Sequence, residues 1–568
     1  MIAALSAQLE LPELTHKLRG RLDYQLLDAR AVDPDLVWFS IERGAVRAAT
    51  RVLKEELGCR FLISAGIDER PLDGGYGVVH FFSKDDDHLF LALDCSVPED
   101  DARLDSITGL IPGAGWSEQE FRDLLGVEPE GHPDPRRLVL PDDWPEGMHP
   151  LRRDFPYNYR PPPAAIPAEQ RPAPAGSTVI PLGPFFPVLE EPARFRLFVE
   201  GETVTGCDYR GFYNHRGIEK LAESALDYEK MPFVAERICG ICGFIHSTCY
   251  CQAIEKAAGI LVPRRAEYIR TVMLELERIH SHLLWLGIAG HILGFDTVLM
   301  QSWRIREPMM WLTEEITGNR KTYGMNAVGG VRRDITPAQL PAILEAVAQV
   351  KRETLAVRRA IAGDTTLHAR AKGVGPLSPE AARSFCVVGP PARASGLPLD
   401  ARLDHPYAAY DTLRPKLCTQ PGGDVWARVL VRLDELEDSI RLVGEALRTL
   451  PQGPILTEVH EMPDRRLGIS AVEAPRGEAI HFVMTGGDNR PYRWRVRAPT
   501  YPNLQAVPVM VQGQQLADVP ITIGSLDPCF SCTERFEVVN ARAGSSRIYR
   551  ADELIAGMHA EREPGGGS

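Results

Sequence analysis

Arg237-Ile-Cys-Gly-Ile-Cys-Gly-Phe-Ile-His246 and, near the far end, Asp527-Pro-Cys-Phe-Ser-Cys-Thr-Glu-Arg535 decide how this chain must fold. Each holds a C-x-x-C pair, Cys239 with Cys242 and Cys529 with Cys532, and about half the length of the chain lies between them. To use all four thiols together, the fold must close distant segments on one another. A four-thiol set is a soft donor set, suited to zinc, an iron–sulfur cluster or a late transition metal such as nickel. Small zinc modules space their pairs by roughly 15–20 residues, because the metal substitutes for a core. Here a whole domain able to bury its own core separates the pairs, which disfavours structural zinc. Two independent thioredoxin-like pairs and a four-cysteine cluster stay open on spacing alone.

Composition excludes several classes. A formal charge of −13 leaves no basic face for phosphate neutralisation, so no nucleic-acid partner is expected. No stretch approaches the roughly 18 uninterrupted apolar residues of a spanning helix. The N-terminus has no basic region followed by an apolar core. Eleven cysteines, an odd number, make no disulfide framework in a chain this long and fit a reducing compartment. A cytoplasmic location is the expectation.

Pattern divides the chain into four parts. Residues 1–157 read as α+β, with a helix over Arg43–Leu57 and a hairpin of Val78–Phe82 with His88–Leu93 around Lys84-Asp-Asp-Asp87. Ser117 and Glu120 have capping-box spacing before a short helix containing Phe121, Leu124 and Leu125. His132 and His149 each neighbour a proline with no carboxylate or thiol at ligand spacing, so structural or interface roles are expected. Residues 158–176 carry repeated prolines and read as an extended linker. Residues 177–535 open on a strand, Arg194–Val199, and are then dominated by helices over Arg264–Leu286, Ala338–Ile361 after a Thr336 cap, and Asp424–Leu450. Each helix has one apolar stripe to bury, which predicts a mostly helical domain with peripheral strands. Residues 536–568 form a C-terminal extension with a polar, glycine-rich end. The predicted fold class is α+β throughout.

The residues around the two pairs resemble the nickel-binding motifs of nickel–iron hydrogenase large subunits. Three further stretches, His215-Arg-Gly-Ile-Glu219, Lys321-Thr-Tyr-Gly324 and Glu473-Ala-Pro-Arg-Gly477, resemble the membrane-associated, complex-I-related group of formate hydrogenlyase type. Gly131-His-Pro-Asp-Pro-Arg-Arg137 and His149-Pro-Leu-Arg-Arg-Asp-Phe-Pro156 resemble the complex I 30-kDa subunit. The resemblance implies a catalytic subunit interconverting protons plus electrons with dihydrogen. It implies Cys239 and Cys529 as terminal nickel ligands, and Cys242 and Cys532 as bridges to an iron that carries cyanide and carbon monoxide. It places Arg476, after Pro475, over the metals beside cyanide, with Asp527 as its acidic partner, and His246 as a hydrogen-bond donor to a bridging sulfur. Glu191 resembles the glutamate that relays protons to Cys529, with Glu190 as its neighbour. Glu219 resembles a carboxylate holding a second ion, magnesium or iron. The commoner hydrogenase motif ends in histidine where this chain has Arg535, and an arginine has no lone pair for a metal.

Cysteines outside the two pairs lack cluster spacing, so no iron–sulfur cluster is expected in this chain. Electrons then require a cluster-bearing small subunit, and the resemblance adds ferredoxin-like and membrane subunits that hold the assembly at the inner face of the membrane. It also implies nickel-insertion proteins and an endopeptidase that removes the tail after Arg535. Cys249 with Cys251, and His280 with His282, stand two apart in helical stretches, so their side chains diverge. Asp296 is a weak candidate for a carboxylate over the site. Cys59, Cys95, Cys207, Cys386 and Cys418 read as packing residues. The competing function is a metal-free scaffold subunit of a complex-I-like quinone oxidoreductase; elemental analysis separates the two.

Overall fold

The computed structural model describes residues 6–159, 161–162, 164, 172–183, 193–212, 215–459, 461–530, 538–540 and 545–547. The fold is α+β. Helix α1 (Ser6–Leu22) leads into a five-stranded sheet of β1 (Leu26–Asp33), β2 (Leu36–Ile41), β3 (Arg60–Asp68), β4 (Gly75–Lys84) and β5 (Leu89–Pro98), in the order β1-β2-β5-β4-β3. β2 and β5 run parallel, and the remaining pairs are antiparallel. The hairpin read from the sequence is β4–β5, with Lys84 opposite Leu89. The expected helix after Arg43 is present as a 3-10 turn, an α segment and a π turn ending at Glu56.

Helix α2 (Gly115–Leu125) corrects the capping-box reading. A turn over Pro112–Ala114 starts the helix before Ser117, so Ser117 lies inside it and buried. Glu118, not Ser117, does the local bonding: its carboxylate accepts from Ile107 N, Ser106 Oγ and Thr108 Oγ1 at 2.6, 2.5 and 2.7 Å. His132 and His149 bond backbone carbonyls, of Gly115 and Asp134 for the first and Asp123 for the second, in keeping with structural roles.

Residues 160, 163 and 165–171 of the 158–176 linker lie outside the described residues. Beyond it, β6 (Thr178–Leu182), β7 (Arg194–Glu200) and β8 (Thr203–Arg210) form an antiparallel sheet in which β7 is central. The helices follow: α3 (Gly243–Ala258), α4 (Arg264–Ile292), α5 (Asp296–Thr317), α6 (Leu340–Gly363) and α7 (Val425–Arg448). α6 starts later than the sequence predicted. Residues 337–339 make a turn in which Thr336 donates to the Gln339 side chain, so Gln339 becomes the cap and Pro341 enters the first turn. α7 starts one residue later than expected, because Asp424 is its cap, with a carboxylate that accepts from Ala427 N at 2.8 Å. A last sheet of β9 (Leu467–Ala474), β10 (Gly477–Thr485) and β11 (Pro491–Arg497) completes the fold.

α4, about 43 Å long at 1.5 Å per residue, is buried around nearly its whole circumference, not on one stripe. Its polar side is satisfied within the protein: Arg270 pairs with Glu255, Glu275 with Arg402, Glu277 with Lys321 and His282 with Glu435. A hydrophobic pattern alone cannot reveal such a side, because its charges look solvated until their partners are known.

The first region shares a core with the last sheet. Phe482 of β10 packs on Phe81 at 4.8 Å between ring centres, and Ile469, Ala471 and Ile480 join the same cluster. Charged pairs cross the same boundary: Arg60 with Glu478 at 2.9 Å, and Arg495 with Glu120 at 2.6 and 2.8 Å. Removing one partner of such a buried pair costs about 3–5 kcal/mol, so these pairs fix how the regions meet. No described helix is long and apolar enough to cross a membrane.

Candidate metal centre

The first cysteine pair sits where the short helix Met231–Glu236 gives way to α3. Cys242 is the residue capping α3, and Gly243 begins it. A Cβ on Gly243 would stand 2.3 Å from the Glu236 carbonyl, so only glycine permits this approach. Gly240 is different, since an added Cβ there meets nothing within 4 Å. Glu277 of α4 holds the same corner: its carboxylate accepts from Phe244 N and Ile245 N at 3.2 and 3.1 Å, where the helix dipole favours an anion.

From the far end of the chain, Cys529 arrives with its sulfur 3.2 Å from that of Cys239, and the Cys242 sulfur is 3.1 Å from Cys239. All three residues are buried and unbridged. A disulfide would require about 2.05 Å, whereas thiolates tetrahedrally arranged at 2.3 Å from a metal stand about 3.8 Å apart. The three sulfurs therefore converge on the scale of a shared ion. Backbone N–H groups of Ile241 and Cys242 point at the Cys239 sulfur at 3.4 and 3.2 Å. The bond that Cys242 donates to the Cys239 sulfur, then burial and repulsion among the sulfurs, push the Cys242 thiol far above its ordinary range. Such a cluster becomes a thiolate set only when a cation enters it. Cys532 lies outside the described residues.

A hairpin places the cation of the site. β9 and β10 join through the two-residue turn Pro475-Arg476, with Ala474 opposite Gly477. Arg476 is buried; its Nε donates to the Asp527 carbonyl at 2.7 Å, Nη2 to the Asp527 carboxylate at 2.8 Å, and Nη1 to Ser281 Oγ at 3.3 Å. Burial opposes this charge, but Asp527 and the cysteine sulfurs hold it firmly. Asp527 has φ of 57°, unusual for a residue with a Cβ, and the two bonds from Arg476 keep it there. Two residues on, Cys529 N donates to Thr500 Oγ1 at 3.1 Å.

His246 stands one turn beyond Cys242 on α3, its Nδ1 3.1 Å from His481 Nε2. Burial lowers His246 to about 4 and His481 further, so both rings are neutral. Lys321 was quoted from the sequence only as part of a motif. Its ammonium reaches Glu277 at 3.0 Å and His280 Nε2 at 3.1 Å, and burial against its charge is outweighed by Tyr323, Glu277 and Cys239. Glu277, Ser281, Thr500, His481 and Lys321 all escaped the sequence reading as site neighbours. Only Lys321 had a signal there.

Other candidates stand elsewhere. Glu219 has one carboxylate oxygen 2.7 Å from Arg493, and the other accepts from Arg495 and Val496 N at 3.2 and 3.1 Å. Asp296 opens α5 and pairs at the surface with His291. Cys249 donates to the Ser470 carbonyl while Cys251 packs in a separate apolar cluster, and His280 and His282 take different partners, as their spacing predicts. Glu190 and Glu191 lie outside the described residues.

Three family models match the sequence: the 49 Kd subunit of respiratory-chain NADH dehydrogenase over residues 293–467 and 461–535, its 30 Kd subunit over 39–161, and nickel-dependent hydrogenase over 216–296. The chain is 42% identical over 505 residues to formate hydrogenlyase subunit 5 of Escherichia coli (strain K12), covering 86% of this chain and 87% of that protein. It is 40% identical over 554 residues to hydrogenase-4 component G of the same strain, covering 96% and 97%. Among solved structures, a chain of the membrane-bound sulfane sulfur reductase, an archaeal respiratory membrane complex, matches with a TM-score of 0.60 and 28% identity, covering 64% of this chain and 100% of that one.

Proposed function

The chain belongs to the complex-I-related nickel–iron hydrogenase large subunits of formate hydrogenlyase type, and from that membership we propose how its residues serve the reaction. Its activity is the interconversion of protons plus electrons with dihydrogen. The observation that carries the residue assignment is the convergence of the Cys239, Cys242 and Cys529 sulfurs beside a buried guanidinium. In our reading these thiolates and Cys532 would hold nickel and iron, Cys239 and Cys529 serving nickel and Cys242 and Cys532 serving both metals. The bound metals supply a site at which dihydrogen is split or formed. Cyanide and carbon monoxide on the iron complete that reading, with Arg476 as the donor to the cyanide.

The chain's own residues orient and move charge. Arg476 and Asp527 lock the irregular segment that carries Cys529. His246 donates toward the bridging sulfurs, and Glu191 carries the proton between Cys529 and the protein surface. A second ion at Glu219 would have to displace Arg493 and Arg495, which engage both oxygens of that carboxylate. Electrons arrive from a separate iron–sulfur subunit, with ferredoxin-like and membrane subunits anchoring the assembly to the cytoplasmic face of the membrane. The tail after Arg535 is removed by an endopeptidase once nickel is inserted.

Metal analysis and infrared spectroscopy of the purified complex test this reading. Nickel with iron, and absorption bands from iron-bound carbon monoxide and cyanide, are the expected result. Zinc alone, or no metal as in a scaffold subunit of a quinone oxidoreductase, would overturn it.

A further inference from the structure

We propose that His481 and Trp494 are positioning residues that fix which nitrogen of His246 carries its proton, so that His246 offers an N–H donor to the metal thiols. The argument is one of donors and acceptors. Trp494 Nε1 lies 3.2 Å from His481 Nδ1, and an indole N–H can only donate. His481 Nδ1 must therefore be the bare nitrogen. The ring is buried and neutral, so its single proton sits on Nε2. Nε2 then donates across 3.1 Å to His246 Nδ1, which must also be bare. The reverse donation would leave His481 with two bare nitrogens, an imidazolate that no neutral ring provides. His246, itself neutral, is left with its proton on Nε2.

That Nε2–H is buried and has no acceptor among the described residues. A buried donor without a partner costs about 1–3 kcal/mol, so an acceptor is expected where it points. His246 lies in the first turn of α3, the helix that Cys242 caps. The Cys239 sulfur is close enough to act on the ring. A metal-bound thiolate supplies the acceptor. The relay runs from β11 through β10 to α3, and every member is fully buried.

The aim of the donor rests on the metal-centre reading above; the tautomer does not, and it can be read without metal. Nitrogen-15 NMR of the histidine-labelled, full-length, metal-free chain, assigned with His246→Gln and His481→Gln, should show both rings neutral with the proton on Nε2. A Trp494→Phe chain keeps the ring and loses the donor, so His481 should populate both tautomers and His246 should follow. A wild-type His246 protonated on Nδ1, or tautomers unmoved by Trp494→Phe, would overturn the proposal. In the metal-loaded complex, His481→Phe should lower kcat roughly tenfold or more, the range for groups that orient a metal's ligands, with KM for dihydrogen unchanged. His481→Gln, whose amide still donates, should restore most of that loss. Equal activity in both His481 variants would refute the relay while leaving the nickel and iron assignment standing.

Discussion

Replacing Arg476 by lysine asks how much of the site depends on a forked cation and how much on positive charge alone. The guanidinium bonds both the carbonyl and the carboxylate of Asp527, at 2.7 and 2.8 Å. A lysine ammonium is a point charge and cannot span the two in that geometry. Each bond to a charged group contributes about 1.5–3 kcal/mol, and one of the two survives in the lysine enzyme, so the expected loss is about 1.5–3 kcal/mol. Arg476→Ala goes further, stranding the buried Asp527 carboxylate at about 3–5 kcal/mol. The loss falls on a backbone held at φ of 57° two residues before Cys529, so it should appear first as poor metal retention. Nickel and iron per chain, measured by mass spectrometry after dialysis against a chelator, should fall in the order wild type, Arg476→Lys, Arg476→Ala, and thermal unfolding of the metal-free chain should follow that order. An Arg476→Lys chain with full nickel and the wild-type melting temperature would refute the reasoning.

Four more outcomes are expected. Cys532→Ser should abolish nickel binding and hydrogen evolution, since a harder oxygen donor suits nickel poorly; near-normal evolution would remove that thiol from the ligand set. Glu191→Gln should keep its metals and lose proton–deuterium exchange, and unchanged exchange would move the relay to Glu190. Lys321→Met strands the buried Glu277 carboxylate and should cost about 3–5 kcal/mol in chemical denaturation, most of it recovered when Glu277→Gln is added; additive losses would show the pair is not coupled. Glu223 is raised from 4.5 to about 7, by burial first, with Arg493 only partly opposing. Its folded form therefore holds a proton that the unfolded chain releases earlier, and stability should fall by about 3 kcal/mol as pH rises from 4.5 through 7. Glu223→Gln should flatten that slope, and an unchanged pH profile would assign it to other groups.

Much of this fold could be read before any coordinates. The β4–β5 hairpin, β7 and the three long helices followed from period, because that signal is local. The two start sites that were misread, at Ser117 and Thr336, failed because a preceding or intervening turn took over the hydrogen bonds the cap was expected to make. At the metal centre the cysteines, Arg476 and Asp527 were legible because their motifs are short and chemically specific. Glu277, Ser281, Thr500 and His481 were not, since each is an ordinary residue in an ordinary helix or strand until a segment tens to hundreds of residues away is folded against it. Glu219 is the opposite case. Its motif is recognisable, yet the arginines that occupy its carboxylate lie on β11, where the sequence gives no sign that they turn inward.

β11 also explains why the first region belongs to the enzyme and is more than an appendage. Along a strand successive side chains face opposite sides. Arg493 and Arg495 reach into the first region, donating to the carbonyls of Gly66 and Ser64 at 2.8 and 3.1 Å, and Arg497 meets the Glu478 that Arg60 holds. Trp494, between them, faces the other way and donates to His481. A slip of one residue would exchange these faces, placing an arginine where the indole stands and burying the indole among carboxylates. The ion pairs with Glu120 and Glu478 thus set the register that delivers Trp494 to the metal centre. A change made wholly within residues 1–157, such as Glu120→Gln, should therefore alter the His481 and His246 nitrogen signals even though it touches neither ring.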